Sequence, residues 1–490
     1  MIIAVIVALF AIFPLTDTDI WWHLACAREW VTTWTPVRAP VVNVHEYFQQ
    51  VVGVVYGLGG APLLVAFKAV LWGVVFWLFL RGISHAERHS GLRAGIGVIL
   101  LFIFRFHFEI RPVLFSLLFL GIYWNVIPWF FRLRHCEELC DEAIHKKIVA
   151  VISLLAIQWF WCKFQGLYIL GPIFATLVLC ACLLEAKKQG GLSVKFVVPQ
   201  IAFVLLLWLM PFLHRESLAL FLYPFGLLDR LLGLTPSAAV FASQIAENRS
   251  PVTLLMAGEN VIESLLMLVC CVAGLCYGAY STYTSLRGPF RSETIYSRIV
   301  LMATAILALI AERNFVLFLP VFLGAVCKIR FLDGVLESVR CQVVAKYVGL
   351  FAAAFILGLW ARSLAAYDYS MVSYQRVPVD AVSWMQQHPH SGRLFNDDRA
   401  GGYLAFMNPA DSIYIDGRFI LKTADFFERY LEYAQNPSLF MADADSLGID
   451  RALFPLQYYA RWDNLMLALD RDMRWHLVYR DEYFAVFDRY

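Results

Sequence analysis

The feature that most constrains this chain is a series of apolar runs that occupies residues 1–366. Of the 490 residues, 60% are hydrophobic and 16% are charged, whereas soluble globular proteins are about 45–50% apolar and about 25% charged. We predict about eleven membrane helices from these runs. They lie near residues 1–15, 61–83, 93–106, 112–131, 147–162, 167–184, 195–213, 259–283, 297–311, 314–327 and 346–365. Residues 367–490 read as a soluble domain, so the sequence predicts a polytopic α-helical membrane protein with a small C-terminal α/β domain.

The charge and cysteine content exclude several other classes of protein. The formal net charge is only +2, so no basic field for nucleic acid is expected. Most of the eleven cysteines lie in apolar runs and are expected to be small core residues. Cys136 and Cys140 form a C-x3-C pair, but no second pair or His couple supports a zinc site. The C-terminal domain has no cysteine, which excludes a disulfide-stapled extracellular module.

The orientation follows from the loops between the predicted helices. Residues 1–15 lack the basic start and the cleavage site of a signal peptide, so we expect a retained first helix. The loops near residues 84–92, 132–146, 185–194, 284–296 and 328–345 hold roughly twice as many Lys and Arg residues as the opposite loops. This bias predicts a cytoplasmic N-terminus, with the first loop and residues 367–490 outside the cytoplasm.

The first outer loop begins with three ionisable residues close to the membrane. Asp17, Asp19 and His23 stand beside Trp21 and Trp22. Asp19 and His23 share a face if a helix starts at Asp19, and this geometry suits a metal or an acid/base site. The alternative is that an aspartate caps an amphipathic interfacial helix, 20–33, which its tryptophans anchor. His45 and Glu46 follow in the same loop and are further candidates.

A second outer turn concentrates charge between two apolar segments. It contains Arg105, His107, Glu109 and Arg111. Such groups must pair with one another, coordinate an ion or hold an anionic ligand, because bare charges are not tolerated in lipid. A structural Arg–Glu pair is the alternative. Further polar residues on the same side are Lys163, Gln165, His214, Arg215, Glu247, Asn248, Arg249, Glu312, Arg313 and Asn314.

The C-terminal region alternates helical and strand patterns. We predict helices over residues 378–388 and 424–436, strands over 392–396, 412–416 and 450–455, and a closing hairpin over 475–480 and 483–488. Polar and glycine residues follow two of the strands, namely Asn396, Asp397, Asp398, Gly401, Gly402, Asp416, Gly417 and Arg418. Ligands bind at such strand ends in open α/β sheets, but turn chemistry and helix capping explain the same residues equally well.

Several of these segments together resemble bacterial multispanning proteins of the GT-C glycosyltransferase type. The resemblance runs along essentially the whole chain and is more specific for kinship than for a named reaction. It is carried by D-x-D-x-W-W-H-L at 17–24, H-E-Y at 45–47, R-P at 111–112, E-x-x-S-P at 247–251, R-N at 313–314, F-N at 395–396 with G-G-Y-L at 401–404, and I-D-G-R at 415–418.

The resemblance implies an enzyme of the bacterial inner membrane that transfers a sugar from a polyprenyl-phosphate or polyprenyl-diphosphate donor to an extracytoplasmic glycan, lipid or protein acceptor. By this likeness Asp19, or else Asp17, acts as base or metal ligand, and His107 with Glu109 fills the second acidic motif. Because His replaces one acid in that motif, the resemblance leaves open whether a divalent cation such as Mg²⁺ or Mn²⁺ is bound. The candidate ligands for such a cation are Asp19, His23, His107 and Glu109. The candidate cations for the lipid phosphate are Arg105, Arg111, Lys163 and Arg313.

Two other classes of function remain open on the sequence. A lipid or small-molecule transporter would place ionisable residues near the membrane midplane, for which Lys68 and Glu263 are the candidates. A non-catalytic scaffold would bind a partner through its C-terminal domain and use the Asp/His cluster structurally.

Overall fold

The computed structural model describes residues 2–38, 42–81, 90–131, 141–190, 194–326, 339–457 and 460–490. Cys136, Cys140 and parts of the predicted inner loops lie outside these ranges. The helices up to residue 366 are α1 (Ile2–Phe10), α2 (Asp19–Arg28), α3 (Glu46–Leu80), α4 (Ser90–Ile103), α5 (Pro112–Phe131), α6 (Asp141–Trp161), α7 (Leu170–Lys188), α8 (Val194–Leu209), α9 (Ser217–Leu232), α10 (Pro236–Gln244), α11 (Pro251–Met256), α12 (Val261–Arg287), α13 (Ser292–Ile310), α14 (Phe315–Val326) and α15 (Val339–Ala366).

The chain is a multi-pass membrane protein. A helix lies at each of the eleven predicted places. Six helices in the described ranges are long and apolar enough to cross a membrane, and a pair bent by 104° between residues 197 and 229 makes seven. At the predicted helices 297–311 and 314–327, α13 is long enough alone to cross a membrane, while the 12-residue α14 is buried along nearly its whole length.

Glycines mark two places where the helical bundle departs from regular packing. Helix α3 is broken at Gly59 and Gly60, and Gly60 has φ +65°, a conformation that glycine adopts without steric cost. Helices α4 and α15 cross at Gly95, where a Cβ atom would lie 2.7 Å from the Cα of Gly349. Small residues allow such close backbone contact between membrane helices.

The C-terminal region, which we call the tail, forms a four-stranded mixed sheet with helices. Its helices are α16 (Val379–Gln387), α17 (Asp398–Met407), α18 (Ala424–Glu432), α19 (Pro437–Leu447) and α20 (Asp463–Arg471), and its strands are β1 (Arg393–Asn396), β2 (Ile449–Pro455), β3 (Trp475–Arg480) and β4 (Phe484–Arg489). The strand order is β1-β2-β4-β3, with β1 parallel to β2 and the other pairs antiparallel. The predicted closing hairpin is therefore confirmed.

The strand that we predicted over 412–416 is wrong. The segment forms no strand, and its backbone bonds to side chains and to the first outer loop rather than to the sheet. Asn396 accepts a hydrogen bond from the Tyr414 amide at 2.8 Å and donates one to the Ile415 carbonyl at 2.7 Å. The Trp34 amide donates to the Ile413 carbonyl at 3.1 Å. These bonds satisfy the segment and tie the tail to the outer loop.

The first outer loop and the tail are joined closely. Leu15 donates its amide to the Met371 carbonyl at 2.8 Å, and helix α2 packs along α17. Lys422 donates to the hydroxyls of Thr33 and Thr35 at 2.7 and 2.6 Å. Helix α2 therefore lies between the membrane bundle and the tail, which places its first residue, Asp19, at their junction.

Candidate active site

Arg111 is the centre of an ionic cluster at the end of the bundle that faces the tail. It directly precedes Pro112, the first residue of α5. Its Nε atom lies 3.0 Å from Oδ2 of Asp17 and its Nη2 atom 2.9 Å from Oδ1. Its Nη1 atom lies 2.6 Å from Oε2 of Glu247. One guanidinium therefore holds two carboxylates, a geometry for which the planar fork of arginine is suited.

The side chains of the cluster differ in how much of their surface is exposed to solvent. The side chain of Asp17 is 3% exposed, that of Arg111 30% and that of Glu247 46%. Burial acts to raise the pKa of Glu247, but the charge and the hydrogen bonds of Arg111 outweigh it and lower the pKa to about 2. Glu247 is therefore ionised at neutral pH, and it forms the accessible edge of the cluster.

Asp19 lies next to this cluster at the first position of α2. Burial and the charge of Asp17 raise its pKa to about 7, and the charge of Arg111 opposes this only in part. The residue nevertheless keeps part of its surface accessible. A carboxyl group with a pKa near the working pH exchanges a proton readily, which is the requirement for a general base.

The D-G-R segment of the tail covers Asp19. A Cβ atom on Gly417 would lie 1.9 Å from Oδ1 of Asp19, so only glycine fits there. On either side, Asp416 and Arg418 form a buried ion pair, with Nε of Arg418 3.0 and 2.9 Å from the two carboxylate oxygens. The guanidinium lies 5.4 Å from the ring of Trp22. Asp416 and Arg418 thus position the segment and are not open to a ligand.

The G-G-Y-L segment, residues 401–404, lies at the same junction between the tail and α2. A Cβ atom on Gly401 would lie 1.9 Å from the Ile415 carbonyl oxygen, and one on Gly402 would lie 2.9 Å from the Trp22 amide nitrogen. The ring centroid of Tyr403 lies 4.8 Å from that of Trp21. These residues bring α17 against α2. Nearby, Asp397 caps α17 by accepting the Arg399 amide at 3.0 Å.

A second group of ionisable residues surrounds His107. Its Nε2 atom lies 2.8 Å from Oε1 of Glu263. Ligand atoms of His107, Glu263 and Glu312 all lie within 4.8 Å of one another. Burial acts to lower the pKa of His107, but the hydrogen bond and the charge of Glu263 raise it above its usual value. The three side chains form the one metal-ligating group of three or more His, Cys or acidic residues in the part of the chain that the structure describes.

Glu109 does not join His107, although two positions separate them. Thr16 donates its hydroxyl to the Glu109 carboxylate, and the other carboxylate oxygen lies 4.0 Å from Nζ of Lys68. The ligand set predicted from Asp19, His23, His107 and Glu109 is therefore not assembled within 4.8 Å among these described residues. Lys68 lies within α3, where its Nζ atom also donates to the Phe13 carbonyl at 3.1 Å, so it is not an isolated charge.

Three further predicted residues lie beside aromatic rings or in ion pairs. His23 is 2% exposed, and its ring centroid lies 3.5 Å from that of Trp22. Burial lowers its pKa well below the usual value, and burial lowers that of His45 to about 4. Both are neutral at pH 7. Glu46 lies 3.2 Å from Nζ of Lys163.

The remaining predicted cations differ in what they contact. Nζ of Lys163 lies 2.6 Å from Glu216, so two acids neutralise this lysine. Arg105 lies over the rings of Phe102 and Trp360, at 4.0 and 5.3 Å. Arg313 is exposed and interacts electrostatically with Glu247, Arg111 and Asp19. It forms no ion pair within the described ranges, so this cation beside the Arg111 cluster remains open to an anion.

The bundle and the tail together have a GT-C-type fold. Similar solved structures are those of the archaeal oligosaccharyltransferase AglB from Archaeoglobus fulgidus. Its complex with an inhibitory peptide and a dolichol-phosphate has a TM-score of 0.54 and 12% identity, covering 95% of this chain and 71% of that one. Its complex with Zn and sulfate has a TM-score of 0.54 and 12% identity, covering 92% and 67%. The form tethered to an acceptor peptide has a TM-score of 0.55 and 14% identity, covering 95% and 71%. No protein family and no curated protein matches the chain in sequence.

Sequence reasoning found most of the residues of the candidate active site but not the side chains with which they pair. Glu247 was a candidate without an assigned partner, and Glu263 was considered only for transport. Arg111 is 94 residues from Asp17 and 136 from Glu247, and His107 is 156 residues from Glu263. Spacing along one chain carries no signal for such pairs. The charged side chains at helix ends were the only available indication.

Proposed function

We propose that this protein is an integral membrane glycosyltransferase that moves a sugar or glycan from a polyprenyl-phosphate or polyprenyl-diphosphate donor to an extracytoplasmic acceptor. One observation carries the proposal. At one end of a GT-C-type bundle, Asp19 has a pKa of about 7 and lies beside the Arg111 cluster and the exposed cation Arg313. A proton acceptor next to an anion-binding group is what displacement of a lipid phosphate requires.

The reaction follows from these positions. The acceptor's hydroxyl or amide attacks the anomeric carbon of the sugar, and its proton passes to the Asp19 carboxylate. The bond between that carbon and the phosphate oxygen breaks, and the phosphate leaves with the bonding electrons. Arg313 neutralises part of the charge that develops on it. Asp17 and Glu247 hold Arg111 in place, and Asp17 also raises the basicity of Asp19.

A divalent cation fits a different group of residues from the one predicted. His107, Glu263 and Glu312 offer one nitrogen and two carboxylate ligands within 4.8 Å, a donor set suited to Mn²⁺ or Zn²⁺ more than to Mg²⁺. When bound, the ion would supply positive charge for the phosphate of the donor. Titration of the purified protein with Mn²⁺, followed by electron paramagnetic resonance, tests this. Glu312→Gln should weaken binding, whereas Glu259→Gln, at an exposed ion pair with Arg249, should not.

The neighbours give the proposal its substrate class. Those structures hold a dolichol-phosphate, an acceptor peptide, and Zn with sulfate. By analogy the donor here is a polyprenyl-linked sugar. We also propose the bacterial inner membrane as the location, with residues 1–366 as the membrane domain and 367–490 as an extracytoplasmic domain. Lys187, Lys188 and Arg287 end α7 and α12 on the opposite side, in agreement with that orientation.

Transport is less well supported. Its candidates, Lys68 and Glu263, contact Glu109 and His107 at the same end of the bundle as Arg111. They therefore do not mark a path through the membrane. A scaffold function would not explain why the pKa of Asp19 is raised or why Arg313 is exposed without an acidic partner in the described ranges.

The deciding experiment uses purified full-length protein and a panel of polyprenyl-phosphate and polyprenyl-diphosphate sugars, with release of the lipid phosphate as the readout. We expect turnover of at least one donor and its loss in Asp19→Asn. Asp425→Asn is the matched control, because Asp425 is an exposed aspartate in the first turn of α18. Binding of undecaprenyl phosphate alone should weaken in Arg313→Gln. A protein that neither binds this lipid nor consumes any donor would refute the proposal.

A further inference from the structure

The membrane bundle contains a polar cavity at the end opposite the candidate active site. Its volume is about 210 Å³. The lining residues are Phe79, Arg81, Trp124, Asn125, Pro128, Trp129, Glu293, Tyr296, Ser297, Arg298, Pro320, Val321, Gly324 and Ala325. Trp124 and Trp129 lie 13 and 18 residues beyond Arg111 along α5, which corresponds to about 20–27 Å. The cavity is therefore separate from the candidate site around Asp19.

Two arginines supply the positive charge of this cavity. Arg298 is 9% exposed. Its Nη2 atom donates to the Tyr277 hydroxyl at 2.8 Å and its Nε atom to the Ser281 hydroxyl at 3.2 Å. These neutral groups fix the guanidinium without cancelling its charge. Arg81 ends α3, is exposed, and lies 4.9 Å from the ring of Trp77.

Acidic groups cancel only part of this charge. Glu293 also lines the cavity and interacts with Arg298. Among the described residues that line the cavity, two cations face one acid. The side chains of arginines match the oxygens of carboxylates and phosphates, and of these two anions the membrane supplies phosphate in its lipid headgroups.

The surroundings favour a lipid as the source of that phosphate. Trp77 and Trp129 are 42% and 45% exposed on the outer surface of the bundle. Tryptophans concentrate at the level of the lipid headgroups, and basic pockets between membrane helices bind anionic headgroups. The volume is below the roughly 300–1,000 Å³ of sites for drug-sized ligands, so it admits a headgroup but not a whole lipid.

We propose that this cavity binds the phosphate headgroup of an anionic phospholipid from the membrane leaflet opposite the candidate active site. Arg298 contacts the phosphate inside the cavity and Arg81 contacts it at the entrance. The acyl chains remain in the bilayer beside Trp129.

The test is native mass spectrometry of the purified full-length protein with added phosphatidylglycerol or phosphatidylcholine. We expect the phosphatidylglycerol adduct to dominate, and Arg81→Gln and Arg298→Gln each to weaken it about tenfold, as expected for a lost charged hydrogen bond. Arg287→Gln is the matched control, because Arg287 ends α12 on the same side, is exposed and lies 4.4 Å from the ring of Tyr283. It should leave the adduct unchanged.

Other results would overturn the proposal. Equal binding of the two lipids, or an equal loss in Arg287→Gln, would mean general attraction to charge and no site. Displacement of the lipid by inorganic phosphate at millimolar concentration would identify a soluble anion as the ligand. If Arg298→Gln does not fold, Arg81→Gln and Arg298→Lys decide, since lysine keeps the charge but loses the paired contact. Arg298→Lys should then bind phosphatidylglycerol more weakly than the unmodified protein does.

Discussion

Asp19 and Asp397 both have a raised pKa but lie in very different surroundings. Burial and the charge of Asp17 raise the pKa of Asp19 to about 7, and burial and the charge of Asp398 raise that of Asp397 to about 6. Asp397 is 1% exposed and accepts a hydrogen bond from Nε1 of Trp462 at 2.6 Å. Asp19 remains partly accessible beside Arg111. A raised pKa alone thus does not mark a functional residue; access to a substrate is also required.

The same contrast separates the two arginine clusters. Arg111 and Glu247 are 30% and 46% exposed in their side chains, whereas Arg418 and Asp416 are 4% and 2% exposed. The buried pair has its hydrogen bonds made within the protein. The accessible one borders Arg313, which has none to an acid within the described ranges. Chemistry is expected at the first cluster and structural support at the second.

The largest expected effect is at Asp19. Asp19→Asn removes the proton acceptor, and transfer from the lipid donor should fall by about 10²–10⁴-fold. The same variant should raise the unfolding free energy at pH 8. The gain should be at most about 4 kcal/mol, because the carboxyl's pKa is shifted from 3.8 to about 7 at about 1.4 kcal/mol per unit.

Asp397→Asn is the comparison for that variant. Asparagine still caps a helix, so turnover should stay within a few-fold of the unmodified protein. Turnover is followed by release of polyprenyl phosphate, and stability by thermal unfolding in detergent. If the Asp19→Asn variant keeps its turnover, Asp19 is not the proton acceptor, and the proposed difference in function between the two aspartates is refuted.

The next effect concerns the buried pair. Asp416→Ala leaves Arg418 without its partner, and such a loss costs about 3–5 kcal/mol. Glu247→Ala should cost much less stability, because the side chain of Glu247 is 46% exposed. Chemical denaturation of the two variants measures the difference. Equal losses would show that accessibility does not separate the two clusters, and recovery in Asp416→Ala/Arg418→Leu would confirm that the unpaired charge is the cause.

Much of the fold was predictable because apolar runs and turn residues act locally. Each predicted apolar run contains a helix, and the hairpin of β3 and β4 is where alternation placed it. The segment 412–416 was mispredicted, because the side chain of Asn396 and the outer loop satisfy its backbone in place of a strand. These hydrogen bonds depend on tertiary contacts, which no local sequence pattern contains.

The site was predictable as a set of residues but not as a geometry. The first-loop aspartates, Arg111 and Arg313 were identified from charges at membrane boundaries. The separation of Glu109 from His107 was not, because Lys68 and Thr16 draw Glu109 away. The D-G-R segment also reads as a binding motif, whereas Gly417 is required by the position of Asp19.

A smaller effect is expected where the tail meets α2. Gly402→Ala would place its Cβ 2.9 Å from the Trp22 amide nitrogen, and overpacking of this kind costs about 1–3 kcal/mol. Because the shift would also move α17 relative to α2, turnover should fall together with stability. Gly97→Ala is the control, since a Cβ atom on Gly97, which lies in α4, would meet nothing within 4 Å. A stable and fully active Gly402→Ala would mean that the junction does not position Asp19.

The smallest effect is the pH dependence, in which rate and stability change in opposite directions. Asp19 accepts a proton only when ionised, so with a pKa of about 7 the rate should fall about fivefold from pH 7 to pH 6. Its folded-state pKa exceeds the unfolded value of 3.8, so stability declines as the pH rises from about 4 to about 7. Asp397 contributes the same decline up to about pH 6 but should not affect the rate. Rate profiles and unfolding curves of Asp397→Asn between about pH 5 and 8 test this separation, and a shifted rate profile would show that the two carboxyl groups act in one site.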